Sequence, residues 1–309
     1  MKFRTEVIVP QCDFKIKHNC KIVMQGSCFA ENMASKFLNA GFSVDLNPFG
    51  IAYNPLSLSG NLRRMLDNRP YTADELFQDN GIYHSFSHHS RFSGTDPDEV
   101  LTNINSRMEQ SSDFLRTANL LVVTFGTAFV YRLQSTGEAV SNCHKLPAKN
   151  FTYNRLTIND IVGEWNDLIV RLQTLNPLLR LLFTVSPIRH WKDGAHENQL
   201  SKSVLLLSVE ELLRNHPHCF YFPAYEILLD DLRDYRFYAE DMLHPASQAI
   251  DYVWEKFSTA WFDNETAKKA QAFEKIHQSL NHIPFQPDLE AYRQFREKAE
   301  ARLKELHNT

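Results

Sequence analysis

The chain of 309 residues has no apolar run approaching the ~18 residues that a membrane-spanning helix requires. Its amino terminus, MKFRTEVIVPQCDF, lacks the unbroken apolar core of a signal peptide, because Arg4, Glu6 and Pro10 interrupt it. A cytoplasmic protein with no membrane partner is expected. Cationic blocks are missing as well: 33 Lys+Arg stand against 37 Asp+Glu, a net charge of −4, and the basic residues are dispersed. A nucleic acid would find no electrostatic footprint here. The cysteines are few, odd in number (Cys12, Cys20, Cys28, Cys143 and Cys219) and without metal-ligand spacing. Free thiols in a reducing compartment are therefore expected rather than a disulfide framework. There is no internal repeat and no low-complexity tract.

What is present is enough apolar content, 43%, to fill a proper core. The chain is organised around Lys21 to Ala40, where the apolar run Ile22-Val23-Met24 reaches Gly26-Ser27-Cys28. Phe29, Met33, Phe37 and Leu38 then follow at helical spacing, so the stretch reads as strand, tight turn, helix. Such a turn holds Ser27 and Cys28 at the carboxyl end of a strand, against the first N–H groups of a helix, where nucleophiles are often mounted. Further strands are expected at Phe42–Leu46, Asn119–Phe125, Leu178–Val185 and Cys219–Phe222. Helices are expected after the Asn54-Pro55 start signal, over Asp98–Arg116, from about Asn159 to Leu175, and over Glu197–Asn215 and Ser247–Phe262.

Strands alternating with helices imply an α/β fold with a parallel, doubly wound sheet covered on both faces. Ligands of such sheets lie beyond the carboxyl ends of the strands. The polar stretches after the apolar runs, at Ser27-Cys28, Gly126-Thr127 and Ser186 to His190, should therefore converge on one rim. There Arg189 and His190 are candidates for substrate anchoring, against the plainer reading of a salt bridge and a loop histidine. Gly81 to Gly94 is expected to be an irregular aromatic and histidine-rich insertion, and Arg132 to Pro147 a surface excursion. His84, His88 and His89 read as loop histidines rather than metal ligands, since no acidic or thiol ligand stands at tight spacing. Cys143-His144 is a rival catalytic pair, disfavoured because adjacent residues seldom face one site. The α/β body should span residues 1–262, with a helical extension over 263–309 around the Pro-bearing turn at His282–Pro287.

Gly26-Ser27-Cys28-Phe29-Ala30 resembles the signature of the GSCFA-domain family, which belongs with the SGNH (GDSL-type) hydrolases. NPFGIAYNP (Asn47 to Pro55), FGTAFVY (Phe125 to Tyr131), NCHK (Asn142 to Lys145), SPIRH (Ser186 to His190) and DMLHP (Asp241 to Pro245) resemble it too. The resemblance implies a three-layer flavodoxin-like fold and a cofactor-free hydrolase acting on a small acyl ester or acylated sugar. It puts Asp241 and His244 on the acid and base positions of the late D-x-x-H motif. Laid without a gap on the Gly-Asp-Ser pattern, Cys28 takes the nucleophile's position; a shift of one residue puts Ser27 there. The family's oxyanion-binding Asn falls on Ala128, which leaves Gly50, Asn54, Gly126 and Thr127 as candidate oxyanion groups. That departure keeps an acyltransferase, and a binding protein on a degenerate scaffold, as alternatives to the hydrolase.

Overall fold

The computed structural model describes residues 4–11, 14–281 and 290–308. Its elements follow the hydrophobic pattern. In chain order they are β1 (Lys21–Gly26), α1 (Cys28–Asn39), β2 (Ser43–Leu46), α2 (Pro55–Asp67), β3 (Phe77–Asp79), β4 (Ile82–His84), α3 (Pro97–Arg116) and β5 (Leu120–Phe125). Next come β6 (Phe129–Leu133), β7 (Ala139–Val140), β8 (Phe151–Arg155), α4 (Ile158–Leu175), β9 (Arg180–Val185), α5 (Gly194–Asn215) and β10 (Cys219–Tyr221). The last are α6 (Ala224–Glu226), which runs on as a π-helical segment over Ile227–Leu232, then α7 (Ser247–Trp261), α8 (Asn264–Asn281) and α9 (Glu290–Asn308).

Five strands form one parallel sheet in the order β10-β9-β5-β1-β2. Numbered within the sheet this is 2-1-3-4-5, the flavodoxin-like arrangement, whose switch point falls between β1 and β5. Alternation along the strands divides the core into two layers. Val23, Leu121, Val123, Leu181 and Phe183 face α2, α3, α4 and α5, with Trp165 at the centre. Ile22, Met24, Leu120, Val122 and Leu182 face α1 and α7 instead, and Phe37 and Phe257 meet there edge to face at 5.3 Å. With both faces buried, the strands carry continuous apolar runs rather than an alternation with polar residues.

Beyond the sheet, α8 buries Phe273 and Ala270 against the α1 side, while α9 is largely exposed. The expected turn at His282–Pro287 lies outside the described residues. The stretch read as a surface excursion, Arg132 to Pro147, is more ordered than anticipated, because it takes part in the three-stranded antiparallel sheet β7-β6-β8; the insertion expected to be irregular over Gly81 to Gly94 likewise opens on β4 of the β3-β4 hairpin. No helix among the described residues is long and apolar enough to cross a membrane.

Candidate active site

The switch point is sealed by the loop from Asn47 to Asn54. Asn47 accepts from Gly26 N–H through Oδ1 (2.9 Å) and donates its own N–H to Met24 O (2.9 Å). At the far end, Tyr53 O accepts from both Gly126 N–H (2.7 Å) and Thr127 N–H (3.0 Å). The loop is thereby laced across the ends of β1 and β5. Gly26 permits this because its φ is +151° and a Cβ there would lie 2.6 Å from Thr124 O.

Ser27 and Cys28 then diverge. Ser27 caps α1: its Oγ accepts from Phe29 N–H (3.3 Å) and donates to Ser186 Oγ (3.2 Å), and the residue is 1% exposed. Cys28, the first residue of the helix, is only partly buried, and its Sγ stands 4.0 Å from Tyr53 Oη. The Tyr53 ring meets the His190 ring edge-on at 5.4 Å. Burial first, and then Cys28, push the Tyr53 phenol up to about 12. Burial, with the nearby charges of Lys202 and His244, pushes the His190 imidazole down to about 4. His190 is therefore neutral near pH 7, with its ring against Tyr53 and its backbone N–H on Asn198 Oδ1 (2.9 Å).

In that loop Asp241 and His244 are a formed pair, Oδ2 to Nδ1 at 2.5 Å, both about half exposed. Asp241 Oδ1 also accepts from the N–H groups of Leu243 and His244, each at 2.9 Å. These bonds hold the carboxyl down at about 2. Oriented through Nδ1, the ring keeps Nε2 for chemistry. Among the described residues no hydrogen bond joins Nε2 to Ser27 or Cys28.

Arg189 reaches the same loop. Its guanidinium donates to Met242 O and lies over the rings of Trp191 (4.9 Å), Tyr238 (4.9 Å) and Tyr235 (5.7 Å). It ties the turn after β9 to the Asp241–His244 turn, whose Met242 has φ +59°.

The four residues considered for an oxyanion are occupied in other ways. Gly50 donates its N–H to Asn47 O (2.8 Å), and Gly126 and Thr127 give theirs to Tyr53 O. The Asn54 side chain caps α2, accepting from Ser57 N–H (2.9 Å) and donating to Ser57 Oγ (3.0 Å). Ala128 is fully buried, with its N–H on Ser201 Oγ at 2.7 Å. At the start of α1 the N–H groups of Phe29, Ala30 and Glu31 turn back on Ser27, whereas that of Cys28 has no acceptor within its helix.

Lys202 was not singled out from the sequence. It is 1% exposed and donates through Nζ to Gly126 O (2.6 Å) and Ser186 O (2.7 Å), clamping together the ends of β5 and β9. Burial pushes its ammonium down to about 7. Its spacing was the available signal: Lys202 continues the buried stripe of α5 that runs through Leu205, Val209 and Leu212. The remaining histidines pack elsewhere. His88 Nδ1 bonds Ser85 Oγ (2.9 Å), and His144 bonds Ser85 O through Nε2 (2.9 Å) rather than Cys143. Among the described residues no three metal-ligating side chains gather into a site.

A flavodoxin-like sheet with a cysteine opening the helix after its first strand, and an Asp–His pair on the same rim, defines an α/β protein built around a candidate nucleophile site. Residues 21–257 match the GSCFA family, and residues 273–309 match the C-terminal domain of GSCFA domain proteins. The chain belongs to the GSCFA family. No curated protein matches it. Among solved structures it is similar to a Clostridium thermocellum family 3 carbohydrate esterase, at 13% identity and TM-score 0.36. A family 3 carbohydrate esterase from Talaromyces cellulolyticus gives 8% and 0.35, and a mutant acetyl esterase with acetate ion gives 9% and 0.36. In each case 83% of this chain and 99% of the other is covered.

Proposed function

We propose that the protein is an SGNH-like hydrolase of small O-acyl esters, acylated sugars among them, with Cys28 as nucleophile. The observation that carries this reading is the contrast at the turn: Ser27 Oγ is buried and doubly hydrogen-bonded, while Cys28 Sγ is partly accessible beside Tyr53. In the first step Nε2 of His244 takes the thiol proton as Sγ bonds to the acyl carbon. Asp241, ionised down to about pH 2, orients the ring and stabilises its cation. Collapse of the adduct breaks the ester C–O bond, and His244 returns the proton to the leaving alcohol. Water, deprotonated by the same ring, then cleaves the thioester and restores the thiol.

Hydrolysis of p-nitrophenyl acetate tests this. Cys28→Ala and His244→Ala should each lose about 10³-fold or more in kcat, whereas Ser27→Ala should keep most turnover and lose about 1 kcal/mol of stability as a helix cap. Activity surviving in Cys28→Ala but not in Ser27→Ala would reverse the assignment. The second reading, a binding protein on this scaffold, is favoured by the buried Ala128 in place of a donor and expects no turnover in any variant.

A further inference from the structure

The proposed reaction makes a negatively charged oxygen beside Cys28, and the four groups expected to receive it are bonded elsewhere. We infer that the Tyr53 hydroxyl receives it: Tyr53 is a catalytic residue that donates a hydrogen bond to the acyl oxygen as it becomes anionic, alongside the Cys28 N–H. This rests on Cys28 as nucleophile.

Tyr53 Oη stands 4.0 Å from Sγ. At that range an oxygen on the carbon bonded to Sγ lies within hydrogen-bond reach of Oη. The backbone of Tyr53 is anchored by its carbonyl to Gly126 N–H and Thr127 N–H, two residues before Ala128. The loop thus delivers a side-chain donor to the region where Ala128 supplies none. The ring is steadied by the edge of His190, and the phenol, pushed up to about 12, keeps its proton at neutral pH. Asn54, the next residue, caps α2, so the element that presents Tyr53 is rigid on both sides. A donor held in advance where charge develops is worth about 10²–10³ in kcat.

The test compares Tyr53→Phe with the full-length wild type, since the substitution keeps the ring against His190 and removes only the hydroxyl. Three readouts are needed: kcat and KM on p-nitrophenyl acetate, affinity for an aryl trifluoromethyl ketone that adds to a thiol, and the rate of Cys28 alkylation by iodoacetamide. The ketone adduct carries an oxyanion; the alkylation product does not. Tyr53→Phe should lower kcat about 100-fold or more and weaken the ketone adduct by a similar factor. KM should change less than threefold, and alkylation should be unchanged, which also reports an intact site. Unchanged kcat and ketone affinity overturn the inference, as does a parallel loss of alkylation, which would make Tyr53 a modulator of the thiol. If wild type forms no ketone adduct, or Cys28→Ala keeps full turnover, the nucleophile assignment itself falls, and the role of Tyr53 with it.

Discussion

The hydroxyl of Ser27 is committed to Phe29 and Ser186, and Cys219, the first residue of β10, is buried with its thiol pushed up to about 12. Burial also raises Cys20 and Cys143. Cys28 differs in position: it is partly accessible and opens a twelve-residue helix on the rim. Iodoacetamide at pH 7, followed by peptide mass mapping, should therefore modify Cys28 first and by at least tenfold in rate. Equal rates across the cysteines would deny it any special reactivity. Lys202 offers a second residue-scale expectation. Lys202→Ala removes two hydrogen bonds from buried carbonyls, Gly126 O and Ser186 O, and empties a fully buried site. The cost should be roughly 3–5 kcal/mol in urea unfolding, well above that of losing a cap. A loss under 1 kcal/mol would mean that the clamp is dispensable.

At the scale of elements, the turns decide where the rim residues stand. Gly26→Ala would set a methyl 2.6 Å from Thr124 O at a φ unsuited to a side chain, so β1 and β5 would have to part. A cost of about 3 kcal/mol or more, read as a lowered urea midpoint, is expected; a neutral outcome would mean the turn relaxes. Arg189 joins two turns by donating to Met242 O, so Arg189→Lys, which keeps charge but loses the planar fork, should loosen the His244 turn. The expected result is a fall in kcat of about tenfold with little change in KM, whereas a substrate-anchoring arginine would raise KM. These turns also mark how far the sequence could be read. Asn54-Pro55 announced α2, and the apolar runs announced β5 and β9, because caps and buried strands are local patterns. The β6–β8 sheet was hidden: its strands are half exposed, and Thr136-Gly137 between them resembles any loop. Cys28 and Asp241–His244 were legible as motifs. The Tyr53 contact was not, since it depends on a loop crossing two strand ends, which no local spacing encodes.

Over the whole molecule, burial of neutral groups fixes the response to pH. His190 and His88 are held at about 4 and about 3, both below the ordinary 6.5, chiefly by burial. Between those values and 6.5 the unfolded chain binds more protons than the folded one, so stability must fall as pH drops through that window. The loss from His190 is on the order of 3 kcal/mol. On the alkaline side the sign reverses, because Cys219, Tyr53 and Tyr225 are pushed up to about 12 and the unfolded chain gives up their protons first. Stability should therefore decline again above about pH 9, partly offset by Lys202, which is released from burial as an ammonium below its ordinary 10.5. Urea midpoints measured from pH 4.5 to 10 should trace a dome. His190→Asn should make the acid limb shallower, leaving the share due to His88, and should leave the alkaline limb in place, because the substitution removes a group that must gain a proton on unfolding and touches none that must lose one. An acid limb as steep in His190→Asn as in the wild type would mean that His190 is hydrated rather than packed against Tyr53, and the rim would then be more open than its packing implies.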